Sequence, residues 1–200
     1  ELAVARLWDG DYLRAVEQSL EVNAIIVYNS MLGNVLESRC SASVHVVPGG
    51  VDLSQFKPKN PPLAPDKFNV LVYGRMDARS KGADVCVEAG EKLAEKGIPF
   101  SMTITKKREN DFPWLQETGW LPRGRVPSLI EQSDVVVVPS LWQEAFGMTW
   151  VEAMAMKKPV IASAVAGPVD WIVGGENGLL FNPGDATDLS RKILCLLENA

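Results

Sequence analysis

"DVVVVPSLWQEAFGMTWVEAMAMKKPVIAS" (residues 134–163) contains a complete strand–helix–strand pattern. "DVVVVPS" and "KPVIAS" are short apolar runs rich in β-branched residues, and "FGMTWVEAMAMK" between them has the length and apolar spacing of a helix. The two runs are apolar throughout instead of alternating, as in strands covered on both faces of a parallel sheet. Two acids punctuate the unit: Glu144 stands before the helix and Glu152 inside it, with seven residues between them and Gly147 in that interval.

The alternation extends in both directions. "FNVLVYG" (68–74) and "IPFSMTIT" (98–105) read as buried strands, and "ADVCVEAGEKLAEKG" (83–97) between them as a helix stopped by Gly97. "KKRENDFPWLQETGWLP" (106–122) reads as irregular, "RVPSLIEQS" (125–133) as a helix, "PVDWIVG" (168–174) as a helical turn, "NGLLFN" (177–182) as a strand and "DATDLSRKILCLLEN" (185–199) as a closing helix. This predicts a doubly wound, Rossmann-like α/β domain over residues 68–200. Before it, residues 48–67 read as a linker, because Pro58, Pro61, Pro62 and Pro65 each lack a backbone N–H and fix φ. Residues 1–47 read as helix (9–22), buried strand (23–30), short helix (31–39) and strand (43–47).

Composition narrows the class. With 46% hydrophobic and 22% charged residues in 200, the chain is an ordinary globular sequence. A net charge of −5 argues against a nucleic-acid binder. Cys40, Cys86 and Cys195 are scattered and odd in number, and with His45 as the single histidine no metal-ligand spacing exists. The expectation is reduced, buried thiols and a cytoplasmic setting, with no metal. No apolar run approaches a membrane span. The chain starts at Glu1, so it is expected to be part of something longer.

In doubly wound sheets ligands bind beyond the carboxyl ends of the strands. Two loops lie there. "YGRMDARSKG" (73–82) offers Gly74 for a tight turn, with Arg75 and Lys81 as cations before a helix start, a combination suited to a diphosphate. A solvated polar loop is the plainer reading. Neither the G-x-G-x-x-G nor the G-x-x-x-x-G-K-[ST] pattern is present, which disfavours a dinucleotide oxidoreductase and a P-loop protein. In the second loop, "LWQEAF" (141–146), the N–H groups of Phe146, Gly147, Met148 and Thr149 are expected unpaired at the helix start, as a second anion cradle. Glu144 either favours the helix dipole or accepts ligand hydroxyls. Glu152 is either a surface acid or, facing the crevice, a ligand for a vicinal diol such as ribose.

Several of these motifs together resemble the donor-binding, C-terminal half of GT-B-fold retaining glycosyltransferases, the group that includes glycogen synthases, sucrose synthases and many lipid glycosyltransferases. The resemblance rests on Glu144, Phe146–Gly147 and "EAMA" from Glu152, on Gly74–Arg75, Asp77 and Lys81–Gly82, on "VVPGGVDLSQFKP" (46–58) as an inter-domain crossover, and on "NGLLFNPGDATDLSRKI" (177–193). It implies that Glu144 binds donor-sugar hydroxyls, that Phe146, Gly147, Met148 and Thr149 present N–H groups to sugar and phosphate, and that Arg75 and Lys81 neutralise the leaving diphosphate. Glu152 then holds the ribose, and Trp120 and Leu121 receive the base, although a core Trp120 is an equal alternative.

The implied reaction is transfer of a hexosyl group from a nucleoside-diphosphate sugar, with retention and without a metal, to an acceptor (saccharide, lipid or small molecule). Residues 1–47 would be the end of an acceptor domain, through which alone any contact with the inner membrane surface would run. This chain by itself is expected to be inactive. The alternative is a non-catalytic sugar-nucleotide-binding module. The sequence departs from the family pattern in "TITKKREN" (103–110), which lacks the usual Gly-rich loop, and in Lys157 and Lys158 before "PVIAS". His45 reads as structural.

Overall fold

The computed structural model describes residues 22–39, 41–59, 67–107 and 109–199. The chain divides between Gly49 and Gly50 into two compact units. Among the described residues the first holds strand β1 (Ala24–Val27), helix α1 (Ser30–Glu37) and strand β2 (Ser43–Val46), with the strands parallel and Ile25 opposite Val44. Asn29 starts α1 by accepting a hydrogen bond from the Leu32 N–H at 2.8 Å, the usual role of a cap side chain.

The first unit corrects two expectations. β1 is not a buried strand: Val27 is buried, but Ile26 is 68% exposed. A strand keeps an apolar side chain dry only where something covers its face, and only part of β1 is covered. His45 is exposed on β2 and is no core residue. The helix expected over residues 9–22 and Cys40 lie outside the described residues, apart from Val22.

The second unit is built on strands β3 (Phe68–Val72), β4 (Phe100–Ile104), β5 (Leu115–Glu117), β6 (Val135–Val138), β7 (Val160–Ser163) and β8 (Leu179–Phe181). They form one parallel sheet in the order β5-β4-β3-β6-β7-β8. Helices α2 (Ala83–Glu95), α3 (Val126–Glu131), α4 (Met148–Ala155), α5 (Ala166–Trp171) and α6 (Ala186–Glu198) accompany them. No described helix is long and apolar enough to cross a membrane.

The central strands β6 and β7 are dry on both faces, which is why they show no alternation, whereas β4 alternates buried Phe100, Met102 and Ile104 with half-buried Ser101 and Thr103. Val70 and Val72 of β3, Val135 and Val137 of β6, and Ile161 of β7 face a core shared with Cys86, Ala89 and Leu93 of α2 and Leu189 and Ile193 of α6. Leu71, Val136, Val138, Val160 and Ala162 face the opposite core with Ile130 of α3 and Trp150 and Ala153 of α4. Burying a Val, Leu or Ile side chain is worth about 1.5–3 kcal/mol, so these residues fix the strand register.

Departures from the expected elements are local. Residues 106–122 are not wholly irregular, since β5 pairs with β4 there, Met102 opposite Leu115. The polar loop after β3 contains a 3-10 turn, Arg79–Lys81. Phe56, in the stretch read as linker, is 1% exposed in the second core, and the Lys59 N–H donates to Glu131 Oε1 at 2.8 Å. Residues 60–66 of that stretch lie outside the description. Cys86 is buried, as expected, and burial pushes its thiol pKa well up. Cys195 is exposed and so is not a core residue of α6.

The order in which the chain adds strands reverses between β3 and β6, which pair in parallel, with Val70 opposite Val135 and Leu71 opposite Val136. The loops after these two strands are pressed together. Gly82 sits at φ 72°, and a Cβ there would meet the Pro139 carbonyl oxygen at 2.0 Å. Gly82→Ala is therefore expected to destabilise the chain by about 2–3 kcal/mol from backbone strain and contact. Urea unfolding checks this, and an unchanged midpoint would refute the close-contact account.

Candidate functional site

The site is assembled from the carboxyl ends of β3, β4 and β6. Tyr73, just past β3, donates its hydroxyl to Oε2 of Glu152 at 2.8 Å, and that hydroxyl lies 3.1 Å from the Thr149 carbonyl. Burial, and then the Glu152 charge, push the Tyr73 pKa far up, so the phenol stays a donor. Glu152 is 1% exposed. It is the fifth residue of α4, whose other buried residues are Trp150 and Ala153. Nη2 of Arg123, on the 3-10 turn Arg123–Arg125, lies 2.7 Å from Oε1 of Glu152.

At the end of β4, Thr105 Oγ1 accepts the Gly74 N–H at 2.9 Å and donates to the Gly74 carbonyl at 2.9 Å. This clamps the turn after β3. A cavity of about 150 Å³ opens above these residues, lined by Tyr73, Gly74 and Thr105 on the sheet side and by Met148, Thr149 and Glu152 from α4. Trp120, Leu121, Arg123, Val126 and Leu129 form the rest of its wall. Trp120 is 69% exposed, a rim residue and not a core one.

A second cluster follows β6. Ser140 donates to Oε1 of Glu144 at 2.9 Å, and Lys81 forms an ion pair with the same oxygen. The Leu141 N–H donates to the Ser80 carbonyl at 2.8 Å, tying the two loops. The Glu144 carbonyl accepts the Gly167 N–H at 2.9 Å, and Gln143 Oε1 accepts the Ala166 N–H at 2.8 Å, so α5 braces the loop from behind. Gly147 turns the chain into α4 at φ 87°, a left-handed conformation suited to glycine. The Trp150 indole N–H donates to the Phe146 carbonyl at 2.7 Å and fixes that elbow. The Phe146 side chain is buried against Trp150, so the residue can face a ligand only through its backbone.

Of the residues singled out in the sequence, Trp120, Leu121, Met148, Thr149 and Glu152 thus share one cavity, and Lys81 and Glu144 share one ion pair. Arg75 is exposed and is not part of the cavity wall. Tyr73, Thr105, Ser140 and Arg123 were not anticipated. The first three lie within two residues of a strand's carboxyl end, so the carboxyl-end rule would have found them. Arg123 carries no local signal.

Where the sequence lacks a Gly-rich loop, Lys106 is buried. It pairs with Glu109 at 2.9 Å and Asp84 at 3.2 Å. Burial opposes its charge, but hydrogen bonds to the two carboxylates prevail and raise its pKa. Asp77 accepts the Lys107 N–H at 2.9 Å. Among the described residues no three His, Cys, Asp or Glu side chains group as a metal site.

The family model for "Glycosyl transferases group 1" matches residues 67–199. The chain belongs to this family. Its relatives include a D-inositol 3-phosphate glycosyltransferase of Pseudarthrobacter chlorophenolicus, 30% identical over 78% of this chain and 42% of its own length. An uncharacterized glycosyltransferase of Methanocaldococcus jannaschii is 34% identical over 60% of this chain and 35% of its own length. The chain therefore spans less than half the length of these curated relatives.

Among solved structures, sucrose-phosphate synthase of Thermosynechococcus elongatus superposes with a TM-score of 0.80 at 25% identity, over 96% of this chain and 53% of that one. The Anabaena protein HepE in complex with UDP superposes with a TM-score of 0.84 at 19% identity, over 98% and 60%. The parallel α/β sheet of this group 1 member is thus the Rossmann-like fold of GT-B glycosyltransferase structures.

The Tyr73–Glu152 bond makes a prediction about stability. Tyr73→Phe is expected to cost about 1.5–3 kcal/mol, the range for a hydrogen bond to a charged group. Chemical denaturation measures it. A loss below about 0.5 kcal/mol would mean that the phenol does not support the buried acid.

Proposed function

We propose that this chain is the donor-binding part of a glycosyltransferase that moves a hexosyl group from a nucleoside-diphosphate sugar to an acceptor with retention of configuration. The observation that carries this reading is a buried carboxylate, Glu152, in a cavity beside the point where the strand order reverses, with the Lys81–Glu144 pair on the adjoining loop. HepE, solved in complex with UDP and with UDP-glucose, supports a uridine-type donor.

Each group then has a physical task. Glu152 accepts ribose hydroxyls, while Tyr73 holds its other oxygen. Trp120 and Leu121 receive the base on the cavity rim. The backbone of residues 146–149 at the start of α4 meets sugar and phosphate, where the helix dipole favours negative charge. Lys81 exchanges Glu144 for the diphosphate, and Arg75, exposed on its loop, folds onto the same group. As the glycosidic bond breaks, negative charge builds on the diphosphate. Preorganised cations and N–H groups lower that barrier, in the role a divalent cation plays elsewhere. Glu144, released from Lys81, accepts hydroxyls of the transferred sugar. The acceptor, a saccharide, lipid or small molecule, is bound by the rest of the longer protein, on the cytoplasmic side. Transfer needs both substrates aligned, so this chain alone binds donor without turning it over.

Isothermal titration tests the assignment. Lys81→Ala and Arg75→Ala are each expected to weaken UDP binding by about 1.5–3 kcal/mol. If both variants bind UDP normally, the loop after β3 is only a solvated surface. The two glutamates should separate by ligand. Glu152→Ala weakens UDP and UDP-glucose alike, by roughly 1–3 kcal/mol. Glu144→Ala weakens UDP-glucose but leaves UDP bound at least as tightly. Equal losses for both ligands on Glu144→Ala would rule out its role at the sugar.

A further inference from the structure

Arg123 is 62% exposed, yet its guanidinium reaches inward, Nη2 standing 2.7 Å from Oε1 of Glu152. On its other side, Cζ lies 5.2 Å from the centre of the Phe56 ring. The contact with Glu152 is close but misses the hydrogen-bond direction, so buried Oε1 has no aligned donor, whereas Oε2 is taken by Tyr73. Both residues line the same cavity. The arrangement is lopsided: one oxygen of a buried acid is hydrogen-bonded and the other is merely neutralised.

We propose that Arg123 is a displaceable guard on Glu152, seated on Oε1 while the cavity is empty and exchanged for a ribose hydroxyl when a nucleotide enters. This rests on the reading of Glu152 as the ribose ligand. A buried carboxylate without a counter-charge is strongly destabilising, so the empty site needs a cation. That cation must also be able to leave. An ion pair with a solvent-exposed partner is worth little, and a well-directed hydroxyl makes the stronger, charge-assisted bond that the guanidinium does not make here. Because Arg123 already stands mostly in water, its departure buries no cation, and the hydroxyl together with Tyr73 then holds the Glu152 carboxylate by hydrogen bonds to both oxygens. The Phe56 ring gives the guanidinium a resting contact that does not depend on Glu152. Arg123 thus competes with the ligand for one oxygen and lowers affinity for anything that carries a ribose, while a phosphate-only ligand does not feel it.

Titration of UDP, with ADP and GDP in parallel, and of inorganic pyrophosphate into wild type, R123M and R123Q tests this, each also in an E152Q background. R123M and R123Q are expected to bind the nucleoside diphosphate about two- to fivefold more tightly than wild type, the span of an ion pair with an exposed partner. Pyrophosphate affinity should not change, and the gain should vanish in E152Q. Unchanged or weaker nucleotide binding by both variants overturns the guard, weaker binding in both backgrounds meaning that Arg123 touches the ligand itself. An equal gain for pyrophosphate also overturns it, as a general charge effect. If wild type binds none of the three nucleotides, the guard and the donor-site reading fall together. Near-UV circular dichroism confirms folding, and two unlike replacements at an exposed position keep the test independent of either one.

Discussion

The lateral pairing of β3 with β6 is the constraint from which the rest follows. Val70 beside Val135 and Leu71 beside Val136 bring into contact two strands that are distant in sequence. From that pair the chain winds outward in two directions, to β4 and β5 on one side and to β7 and β8 on the other. Connections that return over the sheet cover both faces, and their first loops must part at the β3–β6 boundary. The crevice is therefore a consequence of connectivity, and Gly82 packs directly against the Pro139 carbonyl. Tyr73, Lys81, Ser140 and Glu144 stand on the loops after β3 and β6 and Glu152 on α4, while Thr105 follows β4 and Arg123 follows β5.

Two kinds of packing hold the polar groups still. Within the loops, backbone groups are consumed by backbone or side-chain partners, as with Ser80 and Leu141, Glu144 and Gly167, and Gln143 and Ala166. Beneath them the aliphatic cores fix the strand ends. Glu152 shows why both are needed. A helix starting one residue later would carry the acid about 100° around the axis, away from Tyr73 and out of the cavity.

Much of this was legible in the sequence because it depends on local pattern. Runs such as "VVVV" at β6 announce a strand with two dry faces, and the interval from Glu144 to Glu152 announces one acid before a helix and one within it. That Glu152 lines a cavity and is no surface acid depends on how α4 packs on the sheet, a tertiary fact. β5 escaped because three residues following a proline and a tryptophan carry no periodicity. Ile26 and Cys195 misled because apolar residues were taken as buried, while burial depends on what lies opposite. Arg123 was invisible because its partner is 29 residues away and its neighbours, Pro122 and Gly124, suggest only a turn.

The pairing of Lys81 with Glu144 has a consequence for selectivity in a crowded solution. Lys81 is not presented as a bare cation, since it already has a counterion within the chain. A small anion that takes Lys81 strands Glu144 with only Ser140 for company, and the chain loses one ion pair to gain another. A ligand with phosphate at one end and hydroxyls at the other re-pairs both residues at once. Under the donor-site reading proposed above, the pair discriminates by composition of the visitor: inorganic phosphate meets a neutralised lysine, and only a molecule with both chemical ends is repaid for opening it.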